Sequence, residues 1–155
     1  MRDDAAALIA RLGLAPHPEG GYFRETYRSP ADVETPRGVR SAFTSILFLL
    51  THASFSAFHR IASDEAWHFY RGDPIAIEIL ERDGSHRRVE LAADGPWQTV
   101  VPAGAAFASH CLGEYALVGC DVAPGFDFAD FELCRRDALA SAYPAHAELI
   151  ERLTR

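Results

Sequence analysis

Two short strands are written into Phe55-Ser56-Ala57-Phe58-His59-Arg60-Ile61-Ala62-Ser63-Asp64-Glu65-Ala66-Trp67-His68-Phe69-Tyr70-Arg71-Gly72. Residues 55–61 and 65–70 are rich in aromatic and apolar side chains, a short polar connection separates them, and Arg71-Gly72-Asp73-Pro74 closes the pair. Side chains alternate along a strand, so Phe55, Ala57 and Ile61 share the face of His59, and Trp67 and Phe69 share the face of Glu65. A histidine and a carboxylate on apolar faces are costly to bury unless they pair with each other or with a ligand. The tight connection at residues 62–64 predicts that His59 and Glu65 lie on adjacent strands, within hydrogen-bonding or one-water reach.

The same grammar continues in both directions. Upstream, Tyr22–Arg28 reads as a strand, residues 30–40 as a loop carrying Pro30, Pro36 and Gly38, and residues 43–50 as a strand apolar throughout. Tyr22, Arg24 and Thr26 are expected on one face of the first strand, with Phe23, Glu25 and Tyr27 on the other. Downstream, Ile75, Ile77 and Ile79 alternate, Asp83-Gly84 marks a hairpin turn, and Val89 and Leu91 continue the alternation on the return. Gly95-Pro96, Pro102-Ala103-Gly104 and Pro124-Gly125 punctuate the later part of the chain, with strands at residues 97–101 and 115–122. Many short strands with Gly or Pro between them indicate an all-β sandwich or barrel. Helices are expected only at the ends: residues 3–12, with Gly13 as the stop, and residues 136–153, broken by Pro144. The 155 residues fit one domain, 1–155.

On these residues the chain resembles the cupins. His59, Glu65 and Gly72 fall on three positions of the first cupin motif, and Pro102-Ala103-Gly104-Ala105-Ala106-Phe107 matches the second in outline. A closer resemblance is to the DUF985 (Cupin-5) subfamily. Its marks here are His17-Pro18-Glu19-Gly20-Gly21-Tyr22-Phe23, Glu25-Thr26-Tyr27-Arg28-Ser29, Ser63-Asp64-Glu65, Trp67-His68, Gly72-Asp73-Pro74, Val101-Pro102-Ala103-Gly104 and the run from Val118 to Phe128. The resemblance implies a cupin double-stranded β-helix, or jelly-roll, barrel with short terminal helices. It also implies a common dimeric state and structural kinship with sugar-nucleotide epimerases.

A cupin metal site takes two histidines and a glutamate from the first motif and a third histidine from the second. Here Ile61 and Phe107 stand at two of those four positions. By strand parity His68 points away from Glu65, and His110 away from the face of Phe107. Two remaining ligands hold a divalent ion poorly against water, so no cofactor and no native metal is expected, with a divalent metal at His59/Glu65 as the minority reading.

The candidate catalytic residues are therefore His59, as general base, and Glu65, as its partner or the acid. The candidate ligand-binding residues are Glu19 at the barrel mouth, Thr26 and Ser45 on their strands, Trp67, and Phe107 in the place of the missing histidine. Cys120, in a buried strand, reads as an inert thiol, and Asp127 and Asp130 as turn and edge residues. The expected function is binding of a small polar metabolite, with isomerase or epimerase chemistry on a sugar derivative by the His/Glu pair. The alternatives are a non-catalytic binding barrel and a metal-dependent oxygenase or lyase.

Charge restricts the partners. Fifteen basic against 22 acidic residues give a formal charge of −7, which repels nucleic acid and anionic membranes. Three cysteines without a CxxC spacing do not suggest a disulfide framework, and the longest apolar run, residues 46–50, is far too short to span a bilayer. The expected setting is cytoplasmic. The aromatic strand Tyr22–Arg28 has no plainly solvent face, which predicts a homodimer.

Overall fold

The computed structural model describes residues 4–155. The N-terminal helix, α1 (Ala5–Leu12), starts where Asp4 accepts a hydrogen bond from the Ala6 amide and ends at Gly13, which adopts φ 63°. Asp3, at the start of the expected helix, lies outside the described residues.

Thirteen strands come after it among the described residues. They are β1 (Ala15–Pro16), β2 (Tyr22–Arg28), β3 (Asp32–Thr35), β4 (Gly38–Ser41), β5 (Thr44–Thr51), β6 (Phe55–Arg60), β7 (Asp64–Gly72), β8 (Ile75–Leu80), β9 (His86–Leu91), β10 (Gln98–Val101), β11 (Ala106–Cys111), β12 (Tyr115–Ala123) and β13 (Glu132–Leu133). Helices α2 (Arg136–Ala142) and α3 (Ala147–Arg152) close the chain, separated by a short turn that opens with Pro144. A six-stranded sheet in the order β1-β2-β5-β12-β7-β10 faces a five-stranded sheet in the order β13-β6-β11-β8-β9, with β3-β4 as a separate hairpin. All pairings are antiparallel, giving the all-β jelly-roll barrel that the sequence indicates.

Period-two alternation builds the core. Ile75, Ile77 and Ile79 of β8 meet Phe48, Trp67 and Val118 from the facing sheet, all fully buried. The opposite faces are covered too. Leu8 of α1 packs on Leu49 and Leu117 outside the larger sheet, and Leu139 and Ile150 of the C-terminal helices pack on Phe58 and Leu80 outside the smaller one. On β8, which is buried along its whole length although its sequence alternates, this covering reaches Leu80, while Glu78 on the same face is enclosed by His86, Arg88 and His110. No helix among the described residues is long and apolar enough to cross a membrane.

Four local expectations change. Residues 30–40 form most of the β3–β4 hairpin rather than an irregular loop, with Pro36 and Arg37 at the turn. Strand β11, made largely of small residues, is an element that the sequence pattern does not mark. Strands β6 and β7 belong to different sheets, so residues 61–63 cross between the layers and His59 and Glu65 are not on adjacent strands. Finally, β2 carries a bulge: Glu25 pairs with Ile46 and Tyr27 with Ser45, leaving Thr26 as the extra residue. The bulge reverses parity, so Phe23, Glu25 and Arg28 come to one inner face.

Candidate active site

A cavity of about 280 Å³ opens between the sheets at one end of the barrel. Its titratable lining comes from five places: His17 and Glu19 from the turn between β1 and β2, Glu25 and Arg28 from β2, His59 from β6, Glu65 from β7, and Asp127 from the segment after β12. Phe23, Phe126 and Phe128 supply aromatic walls, with Ile46, Ile61, Val122, Thr44 and Cys120 between them.

The turn His17-Pro18-Glu19-Gly20-Gly21 is pressed into the barrel by its own hydrogen bonds. The His17 amide donates to the Gly21 carbonyl and the Gly20 amide to the His17 carbonyl, both at 2.9 Å. The Ala57 amide of β6 donates to the Glu19 carbonyl at 2.8 Å, stitching the turn to the strand that carries His59. Gly20 sits at φ 111°, and a Cβ there would collide with the Phe55 carbonyl oxygen, so only glycine allows this approach. The result is a glutamate carried on a turn yet buried.

Glu19, and not Glu65, is the direct partner of His59. Its Oε2 lies 3.0 Å from His59 Nε2. His59 Nδ1 lies 2.7 Å from the Ala57 carbonyl oxygen, which can only accept, so Nδ1 donates. With Nε2 donating to a carboxylate as well, the ring is an imidazolium held at both ends. Burial opposes this charge, but Glu19, the Ala57 carbonyl and the more distant Glu65 outweigh it and raise the His59 pKa. Burial likewise opposes charge on Glu19, and the attraction of His59, with help from His17 and Ser56, overrides it and holds that carboxyl below its ordinary range. The pair is a buried ion pair with no lone pair left on His59.

Glu65 lies in the opposite condition. It is buried, with 7% residual exposure, and no cation is in contact with it among the described residues. Burial and then the negative charge of Glu19 push its pKa up to about 7, against weaker opposing pulls from His59, the Cys120 thiol and the Trp67 indole. It therefore exchanges a proton near neutrality. Cys120 is held as a thiol, its pKa raised well above the ordinary value by burial and by the nearby carboxylates.

His17 is a site residue that the sequence reading misses. Its Nδ1 accepts the Glu19 amide at 3.2 Å, which places the ring proton on Nε2, for which no partner is present among the described residues. Burial is the main cause of its lowered pKa, so it is neutral where His59 is charged. Rings of Phe23, Phe48, Phe128 and Phe131 surround it. The signal in the sequence is the placing of His17 two residues before Glu19 in a turn rigidified by Pro18, Gly20 and Gly21.

The remaining expected ligand residues fall outside the cavity lining. The Thr26 hydroxyl donates to the Ser45 carbonyl on the exposed side of β2, as the bulge dictates. Ser45 points outward and donates to Asp121, which also holds His68 at 3.0 Å. Trp67 and Phe107 are buried behind the wall, where Phe107 packs on the His59 ring at 4.1 Å between centroids. Asp127 caps its own turn by accepting from the Ala129 amide and also reaches the cavity rim, while Asp130 binds Arg40 at 2.8 Å.

The side chains do not fit a divalent metal. No group of three or more His, Cys, Asp or Glu residues among the described residues has the geometry to hold one. Both His59 nitrogens are engaged, Ile61 and Phe107 are apolar, and His68 and His110 face the outer side, His110 beside Glu78 at 3.3 Å.

Comparison with known proteins agrees with this geometry at the level of fold. Residues 6–134 match the family described as "Cupin superfamily (DUF985)". A hypothetical protein from Leishmania major is similar along 98% of this chain and 99% of its own, at 37% identity and a TM-score of 0.93. A protein from Shewanella oneidensis is similar at 36% identity and a TM-score of 0.91, covering 99% of each chain. Oxalate decarboxylase from Bacillus subtilis shares the fold alone, with 18% identity and a TM-score of 0.60 over 89% of this chain and 36% of its own. No curated protein matches the chain.

Proposed function

Since the chain belongs to the DUF985 family of the cupin superfamily, we propose that its barrel binds a small polar metabolite and moves a proton on it, in an isomerase- or epimerase-type reaction. The observation that carries this reading is Glu65, a buried carboxyl with no cation in contact, poised near neutrality in the wall of a cavity. A carboxyl in that state both accepts and returns a proton at physiological pH.

The roles differ from the simplest His/Glu scheme. Glu65 is the group that exchanges the proton: its carboxylate takes a proton from the carbon beside a carbonyl, and the resulting acid returns it to the former carbonyl carbon while the neighbouring hydroxyl proton passes to the former carbonyl oxygen. His59, occupied at both nitrogens and with its charge balanced by Glu19, takes no part in the proton transfer and fixes the Glu19 carboxylate at the edge of the site. The neutral His17, with its proton on Nε2, supplies a hydrogen bond to the ligand's carbonyl oxygen. One exchanging group favours isomerisation, in which the same carboxyl removes and returns the proton; epimerisation needs a second donor on the opposite face.

The test is hydrogen exchange. Incubated in deuterium oxide with a panel of aldoses, ketoses and their amino derivatives, the protein is expected to place deuterium beside the carbonyl of one class, and Glu65→Gln to abolish it. Binding of a ligand with no exchange would leave a non-catalytic binding barrel and remove the reaction.

A further inference from the structure

The charges around the cavity do not balance, and the imbalance has a sign. Glu19 is matched by His59 at 3.0 Å. Glu25 is matched by Arg28, which grips both carboxylate oxygens at 2.9 and 2.8 Å and gives a further bond to the Phe126 carbonyl at 3.0 Å. Arg28 is thereby committed, although it is the one arginine in the wall among the described residues. Two acids remain: Glu65 at the inner end, with no cation in contact, and Asp127 at the rim, which has Arg40 at 4.0 Å. An anionic ligand entering this space would find no uncommitted cation in the lining among the described residues and two carboxyl groups against it.

The apolar walls have the same preference. Phe23, Phe126 and Phe128 line the cavity, and Phe126 and Phe128 meet edge to face at 4.9 Å, so their rings stand at nearly right angles. Ring faces attract cations through their quadrupole, an attraction that neutral hydroxyls lack.

We infer that the ligand of this cavity carries a protonated amine, held between the Glu65 carboxylate and the aromatic wall of Phe23, Phe126 and Phe128. The inference deepens the small-metabolite reading of the same cavity and rests on it.

The groups that face Glu65 fix the pH behaviour. They are Glu19 from the turn, His59 from β6, Cys120 from β12 and Trp67 from its own strand. Glu19 and His59 are already charged as a pair and Cys120 stays a thiol, so Glu65 is the group that titrates near neutrality. Below about 7 it is protonated and an ammonium meets no charge; above, it is anionic. Binding of an amine must then strengthen as pH rises and release a proton on the acid side.

Glucamine, sorbitol and gluconate are matched six-carbon chains that differ in charge, and they serve as probes in isothermal titration calorimetry with the full chain. Glucamine is expected to bind about tenfold or more tightly than sorbitol, with no binding of gluconate. About one proton should be released per glucamine near pH 6 and almost none near pH 8. Glu65→Gln should reduce glucamine to the level of sorbitol and flatten the pH dependence. The wild-type selectivity stands whether or not that variant folds. Sorbitol binding as tightly as glucamine would overturn the amine and leave the small-metabolite cavity intact, as would a preference for gluconate. Binding of none of the three at millimolar concentration would overturn both.

Discussion

Replacing Glu19 by glutamine removes the counter-charge from a buried imidazolium while keeping the shape of the turn. His59 is 2% exposed and its charge is sustained mainly by Glu19, so in Glu19→Gln burial becomes the dominant influence and the His59 pKa falls from above its ordinary value to below it. At about pH 8 the variant accommodates a neutral His59, and the loss is that of one charge-assisted hydrogen bond, about 1–3 kcal/mol. The sign then comes from linkage. The raised wild-type His59 pKa contributes stability that is fully present below the unfolded value of 6.5 and is lost as pH rises through the folded value. The lowered variant pKa does the reverse: the unfolded chain binds a proton below 6.5 that the folded variant resists. The cost should therefore grow toward about pH 5.5, reaching the ~3–5 kcal/mol of a broken buried ion pair. For a chain of this size that corresponds to a fall in Tm of roughly 6–20 °C. Urea denaturation of both proteins at the two pH values, with a nuclear magnetic resonance titration of His59, measures each part. An equal loss of stability at both pH values, or a His59 pKa that does not move, would refute the pairing with Glu19.

Glu65→Gln should do the opposite to stability. A carboxyl whose pKa is raised from 4.5 to about 7 destabilises the fold progressively as pH rises across that interval; the variant should be more stable than wild type at about pH 8 by up to ~3 kcal/mol, with the advantage vanishing near pH 4, as urea midpoints would show. Gly20→Ala should cost more than ~3 kcal/mol and lower the His59 pKa by expelling Glu19, whereas Gly84→Ala, at φ 90° but with open space around its Cβ, should cost only about 1 kcal/mol; equal losses in thermal unfolding would dismiss the close approach of the turn. Beyond Phe23, where β1 stops pairing, the edge of β2 has no strand partner among the described residues and its side chains are exposed, and a second copy of the chain is the expected cover; light scattering should give twice the chain mass, and a monomer at micromolar concentration would discard the pairing.

Glu65 and His59 are legible in the sequence because each is polar in an apolar strand, a pattern that local alternation exposes. Their relationship is not. Whether consecutive strands pair side by side or cross between sheets is decided by the packing of the whole barrel, and the connection at residues 61–63 reads the same in either case. His59 and Glu19 lie far apart in the chain, and nothing near either residue announces the other. Thr26 shows a second limit: one bulged residue shifts the inward face from Phe23 and Glu25 to Arg28, and a period-two reading assigns every later residue to the wrong side. Strand β11 escapes a sequence reading because its alanines and serine lack the β-branched bulk by which strands are found, and its burial comes from the strands on either side.

The turn that brings Glu19 to His59 belongs to neither face of the barrel. It is a short plug, tied to itself and to β6, seated in a socket whose walls are strands that owe their register to other contacts. A socket of this kind separates inheritance from chemistry. Substitutions at positions 17 and 19 can change the charge and proton inventory of the cavity without altering a single strand pairing, so long as the two glycines that seat the plug remain. The plug can thus alter what the cavity recognises through a short stretch of chain, beside the strand residues, Glu65 among them, that line the same space.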